Sequence, residues 1–337
     1  MAPMAGACPP TLAAAVANAG GMGGCGALLM QPEEMAAWAE RFRAATNGAY
    51  QLNLWIPDPA PERDPALEAT VRRFLGDWGP EPAPEAADLP MPDFDAQCQA
   101  MLDCRPQVIS SIMGLYPPAF VAEMKRLGIA WFATATTVGE AIEAQAAGAD
   151  AVIAQGMEAG GHRGAFEAQA AESALIGSMA LIPAIVDAVE LPVIAAGGIA
   201  DGRGVAAALA LGASAVMVGT ALLRSPEAAI TPAWAEGLGK ARPEDTVATR
   251  AFSGRLGRSL RTAYTEAWRE AGAPLPAPYP IQRNLAGPLR AQGQRDGDIN
   301  RIQAWAGQSA GRAKAIPAGE IVRALWADAE KLLPQTE

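Results

Sequence analysis

The sequence holds one histidine in 337 residues, His162, and sets it in the stretch Gln-Gly-Met-Glu-Ala-Gly-Gly-His-Arg-Gly at residues 155–164. An imidazole can take and return a proton near neutral pH, because its unperturbed pKa is about 6.5. Gly160, Gly161 and Gly164 open backbone conformations closed to other residues and let the chain approach a flat ligand closely. The apolar run before the loop, residues 150–154, reads as a buried strand. A loop at the carboxyl end of such a strand is where α/β enzymes place their chemistry. Two charged neighbours have competing roles. Glu158 could set the imidazole tautomer, but a solvated or capping role is preferred; Arg163 could bind a phosphate or face solvent.

A second signal lies downstream. Residues 192–204 read PVIAAGGIADGRG, a buried strand ending in Gly197 and Gly198 with Asp201 placed to cap the next helix. Residues 215–220 read AVMVGT, a strand ending in Gly219 and Thr220, 22 residues after Gly197. In (β/α)8 barrels the last two strand-end loops, with a helix N-terminus, commonly hold a phosphate through backbone N–H groups. The rival reading is that these glycines only relieve crowding at barrel corners. A GxGxxG string at Gly21, Gly23 and Gly26 follows a helix and leads into a strand, the reverse of the dinucleotide fingerprint, and is discounted.

The elements that must position these residues follow a βα rhythm. Strands are expected at residues 26–30, 50–55, 107–113, 129–133, 151–155, 192–196 and 215–219. Helices are expected at 10–19, 32–46, 117–127, 137–147, 173–189 and 202–211, several opening on a proline and closing on a glycine. This predicts an α/β fold, a (β/α)8 TIM barrel with a smaller inserted helical subdomain. The barrel is expected to take residues 1–225 plus 312–337 and the subdomain residues 226–311. An eighth strand must precede the first helix, where only residues 1–5 are on offer, so the chain is expected to begin inside that strand. Residues 58–103, Pro-rich and acidic with one helical piece at 65–76, are a candidate lid or rim.

Composition narrows the function. Half of the residues are apolar and 18% are charged, which allows a large core. A net charge of −10 argues against nucleic acid or an anionic membrane as partner. Every apolar run is interrupted before ~18 residues, so no membrane helix is expected. Cys8, Cys25, Cys98 and Cys104 show no metal spacing, and with no basic leader the expected setting is the cytoplasm with reduced thiols. Trp55, Tyr116 and Trp131 could wall a pocket, although core packing is the commoner role.

The strings at 156–164, 192–204 and 216–223, with the opening APMAGACPPTLAAAVANAGGMGG at 2–24, resemble the nitronate monooxygenases, also called 2-nitropropane dioxygenases. QLNLW at 51–55, FSGRLGRS at 252–259 and AWAGQS at 304–309 are similar to the bacterial class I branch. The resemblance implies an FMN-dependent (β/α)8 enzyme that oxidises alkyl nitronates, such as propionate 3-nitronate, with O2 to a carbonyl compound and nitrite. It implies His162 as the catalytic group, either a base toward a neutral nitroalkane or an orienting group for a nitronate. Pro3, Met4 and Ala5 would line the flavin; Asn53, Gln155, Gly160, Gly161, Met217 and Val218 would contact it; Gly197, Gly198, Gly219 and Thr220 would hold its phosphate. The match departs at SSIMG, residues 110–114, where the class pattern has an aromatic residue and a histidine. The expected partners are a small anionic substrate and O2, with no nucleic acid or membrane, in a monomer or homodimer. Two rivals stand beside this reading: an NAD(P)H-dependent FMN reductase of an enoyl thioester or quinone, and a phosphosugar isomerase on the same barrel.

Overall fold

The computed structural model describes residues 1–334. In chain order its strands are β1 (Gly23–Gly26), β2 (Tyr50–Trp55), β3 (Val108–Ile112), β4 (Ala130–Ala135), β5 (Ala151–Gln155), β6 (Gly161–His162), β7 (Val193–Ala196), β8 (Ala215–Met217), β9 (Thr246–Thr249) and β10 (Gly257–Leu260). All but β6, β9 and β10 form one parallel sheet in sequence order, β1-β2-β3-β4-β5-β7-β8. That sheet curls into a TIM-barrel-like α/β fold. Strands β5 (AVIAQ) and β7 (VIAA) read as near-continuous apolar runs because both faces are covered.

The helices are α1 (Pro10–Asn18), α2 (Pro32–Ala45), α3 (Pro65–Gly76), α4 (Phe94–Asp103), α5 (Pro118–Arg126), α6 (Val138–Ala146), α7 (Ser178–Val186), α8 (Gly202–Ala210), α9 (Pro232–Lys240), α10 (Ala263–Ala267), α11 (Ile281–Leu285), α12 (Gly287–Asp296) and α13 (Ala318–Glu330). Their starts follow local chemistry. Asp201 accepts from the N–H groups of Arg203 and Gly204 at the head of α8, as its position predicts, a cap worth about 1 kcal/mol. Asp64 accepts from Ala66 and Leu67 at the head of α3.

Two expectations about the first half shift. The first strand is Gly23–Gly26 rather than residues 26–30, which turn instead, with the Met30 N–H bonded to the Ala27 carbonyl. Glycine is a poor strand former, which hides this strand in the sequence, yet here the next chain segment lies too close for a side chain. A Cβ on Gly26 would stand 2.6 Å from the backbone nitrogen of Ala5. That neighbour is residues 1–5, which fill the gap between the sheet's two edges. The Met1 amine donates to the Met22 carbonyl at 2.8 Å, and the Ala2 N–H donates to the Val218 carbonyl at 2.8 Å.

The second shift is in residues 58–103. This segment has a second helix, α4, which supplies the covering helix between β2 and β3 and so restores the βα rhythm. Gln97 on α4 donates its amide to the carbonyls of Leu28 and Met30, pinning the turn after β1. Helix α3 joins a separate core instead. Val71 and Leu75 pack with Phe252, Tyr264, Ile281 and Leu289, apart from the main barrel core. Residues 226–311 hold four short helices, α9 to α12, joined by irregular chain, and they also carry β9 and β10, an antiparallel pair to which β6 adds as a third strand. The short polar pattern of Gly257–Leu260 hid them. In register, His162 faces Gly257.

Candidate active site

The carboxyl ends of the parallel strands open into a cavity of about 740 Å³. Residues 1–5 bring Pro3, Met4 and Ala5 to one wall, and β2 and β5 bring Asn53 and Gln155 to its floor. The His loop adds Gly160, Gly161 and His162; the ends of β7 and β8 add Gly197, Gly198, Met217, Gly219 and Thr220. Val218 is the exception. Successive strand residues face opposite sides, so the Met217 side chain meets the cavity while that of Val218 is buried in the barrel core.

Glycine is required where β7 ends. Gly197 has φ +107°, and a Cβ there would stand 3.0 Å from the Ala159 nitrogen and 3.1 Å from the Gly156 carbonyl oxygen. Among the described residues, no protein acceptor is paired with the N–H groups of Gly198, Gly219 or Thr220. Residues 304–309 cross this end of the barrel. The Gly307 N–H donates to the Thr220 hydroxyl at 3.1 Å, that of Gln308 to the Glu158 carbonyl at 2.9 Å, and Ser309 donates to the Gly198 carbonyl.

His162 is fixed from several sides. Gln155 donates to its carbonyl at 3.0 Å and accepts from the Gly164 N–H at 2.8 Å, so one carboxamide closes the loop. The imidazole stands edge-on between Trp55, with centroids 4.5 Å apart, and Trp305, at 4.6 Å. Its Nε2 lies 2.7 Å from the Ser253 hydroxyl. Removal from bulk water, then the positive charges of Arg255, Arg290 and Arg283, hold its pKa down at about 3. The ring is therefore neutral at any ordinary pH.

The two undecided neighbours take structural roles. The Glu158 carboxylate accepts from the Ser178 N–H at 2.9 Å and from its hydroxyl at 2.9 Å, capping α7, as preferred over a contact with the imidazole. Arg163 does neither of the things expected of it. It lies behind the loop, buried, with its guanidinium donating to the carbonyls of Gln155, Thr136 and Ala174. Burial lowers its pKa to about 10. Of the three aromatic candidates, Trp55 walls the cavity, whereas Tyr116 and Trp131 are core residues. At SSIMG, Ser110 and Ile112 face the cavity; Ser110 accepts from the Asn53 amide at 3.0 Å and donates to Gln51 at 2.8 Å.

Sequence reasoning missed four residues of this site: Ser253, Arg283, Arg290 and Trp305. The first and last lie in FSGRLGRS and AWAGQS, strings that carried the resemblance without a chemical role. The arginines had no signal, being two among many on a helical segment. Arg283 lies on α11 and Arg290 on α12, and neither has a carboxylate partner among the described residues. Burial lowers the pKa of both, that of Arg290 to about 10. Two partly desolvated cations therefore face the chamber that holds a neutral imidazole.

Arg255 is different, being matched. Its buried guanidinium pairs with Asp58, Nε to Oδ2 at 2.8 Å, and donates to the Ala165 carbonyl at 2.8 Å. This ties Asp58 and the Ala165 backbone to the turn that carries Ser253. Asp58→Asn is expected to cost about 3 kcal/mol in urea unfolding, because it strands a buried cation; a loss under ~0.5 kcal/mol would mark the pair as a surface-type bridge.

Comparison with known proteins follows the same lines. The family described as "Nitronate monooxygenase" matches residues 1–328. The chain is 37% identical to the nitronate monooxygenase of Paraburkholderia phytofirmans, over 99% of this chain and 92% of that one. It is also 37% identical to that of Pseudomonas aeruginosa, over 96% and 93%. In structure it is similar to nitroalkane oxidase from Streptomyces ansochromogenes, with TM-score 0.89, 36% identity and coverage of 98% and 95%. Likeness to FabK from Thermotoga maritima is lower, with TM-score 0.77, 30% identity and coverage of 98% and 92%. A chain matched along nearly its whole length by family, sequence relatives and structure alike belongs to the nitronate monooxygenase family of oxidoreductases.

Proposed function

We propose that this enzyme is an FMN-dependent nitronate monooxygenase that oxidises alkyl nitronates bearing a second anionic group, such as propionate 3-nitronate, with O2 to a carbonyl compound and nitrite. The observation that carries the reading is the shared wall of neutral His162 and the uncompensated Arg283 and Arg290. Such a wall favours an anion, and it disfavours any step that leaves a proton on His162.

The residues present fit a flavin. Pro3, Met4 and Ala5 offer an apolar wall, Asn53 and Gln155 offer carboxamides, and Gly160 and Gly161 let the His loop come close. Gly197, Gly198, Gly219 and Thr220 form a cradle of free N–H groups that suits a phosphate; Met217 lies beside it. Bound there, FMN would supply the redox chemistry, and the protein would contribute position and electrostatics. His162 would wall the nitro group from its fixed place between Trp55 and Trp305, and bonds to the anionic oxygens would come from N–H donors such as those of the arginines. The arginines would hold the far charge, and the tryptophans would exclude water from that side. In this assignment residues 1–225 plus 312–337 are the barrel, with 335–337 outside the described residues, and 226–311 form a cap that supplies Ser253 and both arginines. No helix among the described residues is long and apolar enough to cross a membrane.

Visible spectra of the purified protein without O2, before and after propionate 3-nitronate, test the assignment. The expected result is a flavin spectrum that bleaches on addition. A flavin that ignores nitronate but bleaches with NAD(P)H would favour the FMN reductase reading instead. The arginines have their own test. Arg283→Met is expected to lower kcat/KM for propionate 3-nitronate about 10- to 100-fold, the worth of one hydrogen bond to a charged group. Ethyl nitronate, which lacks the carboxylate, is expected to change little; equal losses on both substrates would remove Arg283 from substrate recognition.

A further inference from the structure

We propose that Ser253 fixes His162 as the Nε2–H tautomer, leaving Nδ1 as the ring atom presented to the substrate. The second half rests on the reading of His162 as the group that meets the nitronate; the first does not.

The protons around one buried hydroxyl select the tautomer. Ser253 Oγ has three neighbours within reach: Nε2 of His162 at 2.7 Å, the Arg255 carbonyl at 3.1 Å and the Arg255 N–H at 3.3 Å. A hydroxyl has one proton to donate and two lone pairs to accept with. The Arg255 N–H can only donate, so it takes one lone pair. The Arg255 carbonyl can only accept, so it takes the proton. The remaining lone pair faces Nε2, which must then be the donor.

The alternative has a definite penalty. If Ser253 gave its proton to Nε2, the Arg255 carbonyl would lose its one partner among the described residues. Ser253 and Arg255 are each only 1% exposed, so bulk water does not replace it. A buried acceptor without a partner is disfavoured, and that bias selects the tautomer.

The turn that makes the selection cannot easily move. Its Arg255 side chain is held by Asp58 and by the Ala165 carbonyl, and the Gly254 N–H is bonded to the Arg250 carbonyl at 2.8 Å. The ring it addresses is clamped between Trp55 and Trp305. Among the described residues Nδ1 has no hydrogen-bond partner, and the imidazole lines the cavity. A ring whose proton is committed to the protein presents only a lone pair at Nδ1, able to accept from a donor but not to bond to an anion's oxygens.

A single histidine makes the test direct, because protein labelled with [15N]histidine gives one pair of ring nitrogen resonances. In the purified enzyme at pH 7, Nε2 is expected to be the protonated nitrogen, with its proton protected from exchange, and Nδ1 the bare one. In Ser253→Ala that protection is expected to vanish; Ser253→Thr, which keeps a hydroxyl, is expected to restore it. A protonated Nδ1 in the wild-type spectrum would overturn the assignment, whatever the variants do. Unchanged ring resonances in Ser253→Ala would overturn the role of Ser253.

Nitrate, a planar anion that resembles a nitro group and cannot be oxidised, reports on the second half. Its oxygens only accept, so beside a bare Nδ1 it is expected to leave Nδ1 unprotonated and the Nε2 proton in place. A shift at Nε2 with loss of that proton would overturn the presentation of Nδ1. A proton gained at Nδ1 with the Nε2 proton kept would show a charged ring meeting the anion and would overturn the presentation of a bare Nδ1 while leaving the Ser253 contact standing.

Discussion

Propionate 3-nitronate is expected to be oxidised at least ~100-fold more efficiently than its conjugate acid, 3-nitropropionate, because the second substrate needs a general base and His162 is a poor one. The best base at neutral pH has a pKa near 7. Burial and the charges of Arg255, Arg290 and Arg283 hold this imidazole at about 3. Taking a proton would place a third cation beside two arginines that already lack carboxylates. A nitronate arrives deprotonated and requires only a hydrogen bond and a favourable field. The same shift fixes the pH profile. With nitronate as substrate, kcat/KM is expected to show no ionisation of His162 between about pH 5 and 8, since the ring stays neutral throughout. Comparable kcat/KM values for the acid and the nitronate, with an enzyme ionisation near pH 6.5, would show instead that the loaded site restores a working base.

The sequence carried the barrel because its rhythm is local. Buried parallel strands such as Ala151–Gln155 and helix starts such as Asp201 announce themselves within a few residues. The glycine cradle and the His loop were legible for the same reason: each is a contiguous string whose glycines have a stereochemical purpose. What the sequence concealed depends on distance. Gly23–Gly26 is a strand because it pairs with β2, with its glycines at 24 and 26 leaving room for residues 1–5, and β10 is a strand only because β6 and β9 flank it.

The polar surroundings of His162 were concealed for that reason too. Ser253 is 91 residues from His162 in the chain, and Asp58 is 197 from Arg255. Glu158, four residues from His162, was the nearer candidate and turns out to cap α7. The error in Arg163 has the same origin. A charged residue in a glycine loop reads as ligand-binding or solvated, but three backbone carbonyls behind the loop give it a buried place. The histidine is thus made by one half of the chain and tuned by the other. Residues 252–309 carry Ser253, both arginines and Trp305, whereas the barrel loop carries His162.

Gly197→Val is expected to weaken FMN about 10- to 100-fold, the effect of forcing ~1–3 kcal/mol of backbone strain into the cradle. At φ +107° a β-branched residue has no comfortable conformation. Its Cβ would also press on backbone atoms of Gly156 and Ala159, which cannot swing aside as a side chain could. The loop that carries Gly160, Gly161 and His162 would have to move with them. Strain and steric displacement can be separated with a control. Gly128 also has positive φ, +69°, but nothing lies within 4 Å of its Cβ position. Gly128→Ala is expected to cost about 1 kcal/mol of stability and leave flavin content unchanged. Flavin-to-protein absorbance ratios and urea midpoints of both variants read the two effects apart. If Gly197→Val purified with full flavin, the strand-end glycines would be corner residues that relieve crowding, and the phosphate would have to be held elsewhere.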